Sequence, residues 1–103
     1  MTYAIDFEPD ALKELKTLRK ADQVKIVAAI QHYLTYEPTR QSKSRIKRLR
    51  SGTQPPYRLR IDEYRIYYDV LAEAMLVIIY GIVIKEQSLV WLDTFTKKSS
   101  GKE

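Results

Sequence analysis

Apolar and polar residues alternate with a period of two at three places in this chain and recur with a period near 3.6 at three others, which lays out most of a fold. Tyr3, Ile5 and Phe7 alternate with Ala4 and Asp6, predicting a short first strand. Pro9 suits the first turn of a helix because it has no N–H to leave unsatisfied. Ala11, Leu12, Leu15 and Leu18 then share one helical face from Pro9 to about Lys20. Val27, Ile30 and Leu34 form a second stripe, supported by Val24 and Ile26, with Asp22 as its predicted cap and Pro38 discouraging continuation beyond Tyr36.

The segment from Tyr57 to Tyr68 carries the most information. If Asp62 and Glu63 make a two-residue loop, Ile61 lies opposite Tyr64, Leu59 opposite Ile66 and Tyr57 opposite Tyr68, all on one face of a hairpin. Arg58, Arg60, Arg65 and Tyr67 then share the other face, with Arg60 opposite Arg65 and Arg58 opposite Tyr67. Asp-Glu lacks the glycine that tight primed turns prefer, so a longer loop would shift the pairing, but the separation of faces within each strand survives such a shift. Like charges directly opposite one another destabilise a hairpin unless an anion lies between them. A phosphate backbone is one such anion; a solvated sheet face is the plainer alternative.

Ser51 to Pro56 holds Gly52, Pro55 and Pro56 and is predicted as loop, whereas Met75 to Val83 is nearly all apolar and β-branched, like a central strand covered on both faces. Ser88 is the predicted cap of a short last helix containing Leu89, Trp91, Leu92 and Phe95. The order β-α-α-β-β-β-α predicts an α+β domain in which a small antiparallel sheet carries the N-terminal helical hairpin on one face and the arginines on the other. The domain is expected to span 1–96, with 97–103 a flexible polar tail.

With 103 residues the chain is long enough for one core and too short for two. No apolar run reaches bilayer length, no secretory signal is visible at the start, and there is no cysteine, so no disulfide or thiolate metal site; a cytoplasmic protein is expected. The formal charge of +5 is concentrated: from Arg40 to Arg65 nine basic residues meet two acidic ones, net +7, leaving the remainder at −2. That asymmetry is the footprint of a polyanion binder or of a partner for an acidic peptide. The lone His32 makes no metal site, and no phosphate-binding glycine loop or nucleophile elbow is present, so neither a metal nor a small-molecule cofactor is expected.

In their order along the chain, Phe7-Glu8-Pro9-Asp10-Ala11-Leu12-Lys13-Glu14-Leu15, Ile46-Lys47-Arg48-Leu49-Arg50, the arginine hairpin, Gly81, Lys85-Glu86 and Trp91-Leu92 resemble the RelE/ParE superfamily of toxins from type II toxin–antitoxin pairs. The resemblance implies a RelE-like toxin that cleaves mRNA on the ribosome and so inhibits translation. Its partners would be a cognate antitoxin, the ribosome and mRNA. By the same resemblance Arg58, Arg60 and Arg65 are expected to be catalytic through electrostatics. Lys85 falls where RelE-like enzymes usually carry an arginine and Trp91 where they often carry a tyrosine. An indole does not transfer a proton near neutrality, so Lys85 is expected to be the best remaining proton carrier, with Glu86 and Tyr67 behind it.

Arg45, Lys47, Arg48 and Arg50 are expected to track RNA phosphates, with Tyr67 and Trp91 as candidate stacking surfaces for bases, although a packing role for Trp91 is the more economical reading. Two other functions keep the fold or the charge: a ParE-like gyrase inhibitor or catalytically weak binding protein, and a basic nucleic-acid-binding domain outside any toxin pair.

Overall fold

The computed structural model describes residues 1–100, and within them the expected α+β architecture is present. Strand β1 is Ala4–Phe7, helix α1 Pro9–Lys16, helix α2 Lys20–Leu34, strand β2 Ile46–Arg48, β3 Tyr57–Ile61, β4 Tyr64–Leu71, β5 Leu76–Ile84 and helix α3 Lys85–Ser100. The five strands lie in the order β1-β5-β4-β3-β2. The β3–β4 register is the two-residue-loop register, with Arg60 opposite Arg65 and Arg58 opposite Tyr67. Asp62 makes that loop possible by adopting φ 52°, a left-handed conformation that aspartate tolerates better than most residues.

Two features add to the expected sheet. β1 pairs with β5 in parallel and not antiparallel as expected; alternation over Tyr3 to Phe7 fixes which face is buried but carries no direction. The short β2, which the charge of Arg45 to Arg50 hides, pairs antiparallel with β3. The outer edge of β2 is closed by its own chain: Ser42 Oγ accepts from Ile46 N at 3.3 Å and Gln41 Oε1 from Arg48 N at 3.0 Å.

The amphipathic pair α1 and α2 covers one face of the sheet. Ala11, Leu15, Ile26, Ile30 and Leu34 are buried there against Leu59, Ile66, Tyr68, Val77 and Ile79. Each fully buried leucine or isoleucine contributes roughly 1.5–3 kcal/mol by leaving water. Tyr68 reaches through the core to donate to Pro38 O at 2.6 Å, and burial drives its phenol far above the ordinary range. Where β1 stops at Phe7, Glu14 of α1 replaces it, its Oε1 accepting Ile82 N at 2.9 Å. Burial raises the Glu14 carboxyl above its ordinary pKa more than this amide lowers it, with Asp10 and Glu8 adding to the rise.

Three expectations on helix ends are corrected. Asp22 lies in the first turn of α2, where the helix dipole favours it, while Arg19 occupies the cap position. Ser88 caps nothing, since α3 begins at Lys85; its buried hydroxyl donates to Lys85 O at 2.8 Å. The helix continues through residues 97–100 instead of fraying at Lys97, and 101–103 of the expected tail lie outside the described residues. No helix among the described residues is long and apolar enough to cross a membrane.

α3 packs on the face opposite α1 and α2, through a run of rings. Tyr67 stacks on Trp91 at 5.0 Å, Trp91 on Phe95 at 5.0 Å, and Phe95 meets Tyr80 at 5.3 Å. Gly81 is what admits the indole, for a methyl group at that Cα would collide with Trp91 Cζ2. Thr96 Oγ1 pins the far end by accepting from Gln54 N at 3.1 Å and donating to Gln54 O at 3.0 Å. Gly81→Ala is therefore expected to cost about 1–3 kcal/mol by overpacking. Urea unfolding followed by fluorescence of the single tryptophan checks this, and an unchanged midpoint would count against the packing described.

Candidate anion-binding face

The sheet pairings line up two transverse rows on the face that α3 only partly covers. Lys47 on β2 lies opposite Arg58, Arg58 opposite Tyr67, and Tyr67 opposite Gly81. In the next row Arg60 lies opposite Arg65, and Arg65 opposite Val83. The hairpin alternation thus brings all three predicted arginines together, with Lys47 continuing the first row to the sheet edge.

Their environments differ. Arg65 is 7% exposed, and its Nη1 donates to Asp62 O at 2.9 Å and Tyr64 O at 3.0 Å. Arg58 is half-buried, and its Nε is shut off from solvent with no hydrogen-bond partner. Burial, followed by the charges of Arg65 and Arg60, holds the Arg58 guanidinium below its ordinary pKa, with Tyr67 opposing them. Arg60 is exposed. None of the three enters an ion pair among the described residues, whose ion pairs are made by Arg19, Lys25, Arg40 and Lys97. A cluster of cations with no paired carboxylate among the described residues is complementary to a multivalent oxyanion, and guanidinium is the group whose planar fork matches phosphate oxygens.

The other predicted residues divide. Lys85 is exposed at the first position of α3, held at the hairpin tip by donation from its backbone N to Glu63 O at 2.7 Å. Arg45 donates from Nη1 to Arg60 O at 3.0 Å and lies 5.5 Å over the Tyr33 ring. Arg48 donates to Tyr57 OH at 3.0 Å and lies 4.9 Å over that ring, so both arginines are engaged at the β2 end of the sheet. Lys47 and Arg50 are exposed. Tyr67 is 2% exposed beneath Trp91, which corrects its expected role: its face is spent on the indole and is closed to a base. Trp91, half-buried between Tyr67 and Phe95, is the anchor of α3. His32 makes an edge-on contact with Tyr33 at 4.7 Å, consistent with packing.

Sequence reading missed the residues that brace the hairpin tip. Lys25 Nζ lies 2.8 Å from Asp62 Oδ2, and Tyr64 OH donates to Asp22 Oδ2 at 2.9 Å. Their separation along the chain leaves no periodic signal; only the fold joins them.

The sequence matches no family model and no curated protein. Solved structures do match. A mutant of the E. coli toxin RelE in the free state is 26% identical, with a TM-score of 0.69 over 88% of this chain and 92% of that one. The archaeal RelE–RelB complex from Pyrococcus horikoshii OT3 is 26% identical, with a TM-score of 0.64 over 82% of this chain and 97% of that one. The toxin–antitoxin complex RelBE2 from Mycobacterium tuberculosis is 25% identical, with a TM-score of 0.63 over 82% and 99%. The chain is RelE-like. A five-stranded sheet with three helices is common ground, and the two arginine rows are what this RelE-like chain builds on it.

Because Arg60 and Arg65 oppose each other with no counter-ion among the described residues, removing one charge relieves repulsion. Arg60→Gln is expected to raise stability by roughly 0.2–1 kcal/mol at low salt. The gain should shrink as salt screens the pair, and equal unfolding midpoints at low and high ionic strength would contradict this electrostatic account.

Proposed function

We propose that the protein is the toxin of a type II toxin–antitoxin pair, acting as a ribosome-dependent endoribonuclease that cleaves mRNA and inhibits translation. One observation carries the chemical part: three arginines from adjacent strands share a sheet face without a counter-ion among the described residues. The kinship to RelE toxins and RelE–RelB complexes supports the toxin and antitoxin parts.

In this reaction the 2′-oxygen of one nucleotide attacks the adjacent phosphorus, the P–O5′ bond breaks, and a 2′,3′-cyclic phosphate and a free 5′-hydroxyl result. Negative charge builds on the non-bridging oxygens as the new bond forms. Donors already fixed in place lower that barrier without reorganising. Arg65, held by two carbonyls and buried, is the most rigid of the three and is assigned to the transition state; Arg58 and Arg60 hold the scissile phosphate. Lys47 and Arg50 extend the charge along the RNA backbone, and Arg45 and Arg48 lend charge at the β2 end while anchored on rings.

Two protons must also move, one off the 2′-hydroxyl and one onto the 5′-oxygen. Lys85, exposed beside the hairpin tip, is the assigned carrier. Trp91 does not carry protons, so turnover rests on electrostatics more heavily than on acid–base catalysis. The antitoxin is expected to present an acidic amphipathic segment to the arginine face, the unit responsible is residues 1–96, and the cytoplasm is where both partners meet.

Purified protein added to translating ribosomes should cut mRNA at defined positions within codons. Arg65→Ala should lower the cleavage rate by about 100-fold or more, whereas Lys16→Met, on the outer face of α1, should cut normally. Absence of cleavage by the wild type, or cleavage by Arg65→Ala at the wild-type rate, rules out the enzyme. Inhibition of gyrase supercoiling in place of cleavage would move the protein to the ParE-like branch, and inertness in both assays would leave a binding protein.

A further inference from the structure

Arg65 owes its direction to two carbonyl oxygens, and one of them is unusual. Tyr64 O belongs to a paired strand residue, but Asp62 O belongs to the central peptide of the two-residue loop, the one peptide of a tight hairpin that has no ladder partner. Turn types that connect the same two strands differ by a flip of that central peptide, so strand pairing alone does not aim Asp62 O at Arg65. Something else has to hold the loop in the conformation in which Asp62 has φ 52°.

The flanking contacts supply it. Lys25 of α2 grips the Asp62 carboxylate at 2.8 Å, with side chains 44% and 56% exposed. Asp22, one turn earlier on the same helix, accepts the Tyr64 hydroxyl at 2.9 Å and is itself 3.4 Å from Arg19. On the other side Lys85 N donates to Glu63 O at 2.7 Å. The loop is therefore clamped between the first turns of α2 and the start of α3. The clamp fixes the carbonyl that takes one of the two Arg65 Nη1 bonds, while Nε and Nη2 of Arg65 are left without partners among the described residues.

We propose that Lys25 and Asp22 are positioning residues for Arg65: they act through Asp62 and Tyr64 to hold the hairpin tip so that the Arg65 guanidinium keeps one nitrogen anchored and presents the others to a phosphate. The catalytic consequence rests on the endoribonuclease reading; the positioning itself does not. Exposed ion pairs contribute little to global stability, so the clamp is separable from folding. It also explains an arrangement that stability alone leaves idle, with three charged side chains spent on the tip of one exposed turn.

The test uses Lys25→Met, which keeps the aliphatic stem, and Asp62→Asn, which keeps a residue tolerant of positive φ. Solvent exchange of the Arg65 guanidinium protons, followed by nitrogen NMR on the isolated folded protein and assigned by comparison with Arg65→Lys, reads positioning without reference to activity. Both variants should exchange faster at Arg65, with unfolding midpoints near wild type, and Lys25→Arg should restore slow exchange. On ribosomes they should cleave about tenfold more slowly at unchanged ribosome affinity, as displacement of a preorganised group predicts. Unaltered Arg65 exchange in both variants overturns the proposal. If the wild type does not cleave RNA but Arg65 exchange responds as stated, the endoribonuclease reading falls and the clamp stands.

Discussion

The structure turns on one unfavourable contact: Arg60 and Arg65 placed directly across a two-stranded pairing, with Arg58 beside them and no carboxylate paired with them among the described residues. Sheet pairs of like charge cost stability, and a guanidinium that is 7% exposed has lost most of its hydration as well. The chain offsets this with backbone carbonyls on Arg65 Nη1, while Arg58 Nε has no partner among the described residues. On the proposed reading a phosphate supplies oxygens to the accessible nitrogens of this cluster, and the rest of the fold can be understood as what makes the uncompensated charge tolerable.

The opposite face of the sheet provides the stability. Leu59 and Ile66, which alternate with the arginines along the same strands, are fully buried beneath α1 and α2. Each strand of the hairpin therefore contributes to the core with one set of side chains and to the charged face with the other, so the site cannot be shifted without moving the core. α3 adds a second constraint on the charged side. Its stack of Tyr67, Trp91 and Phe95 occupies the sheet next to Arg58, bounding the open area to the rows that carry the cations.

Much of this was legible in the sequence, for identifiable reasons. Alternation over Tyr57 to Tyr68 has a period of two and so reports faces directly, and the predicted pairing of Arg60 with Arg65 needed only a loop length in addition. What escaped is whatever depends on neighbours distant along the chain. β1 runs parallel to β5, a direction that the alternation of Tyr3 to Phe7 does not carry. β2 is three residues in a charged stretch, too short for a pattern. Alternation places Tyr67 on the arginine face, yet its availability depends on Trp91, which arrives from α3. Asp22 looks like a helix cap from its own segment and proves to be a partner of Tyr64, 42 residues away.

The distribution of rigidity across the site also bears on what chemistry it favours. Arg65 is fixed by the backbone and Arg58 by burial, whereas Lys85 is an exposed lysine on a flexible stem, and the indole of Trp91 is stacked between two rings. Fixed dipoles and charges stabilise a transition state because they need no reorganisation as charge develops, which suits the phosphate end of the reaction. Proton transfer needs a titratable group within hydrogen-bond reach of the moving proton, and the site supplies at most a mobile one. On the proposed reading, the chain has thus kept the part of the mechanism that depends on preorganised positive charge and loosened the part that depends on a positioned acid or base. A substrate already bent toward in-line attack by a larger surface, such as mRNA held on a ribosome, is what such an imbalance would require.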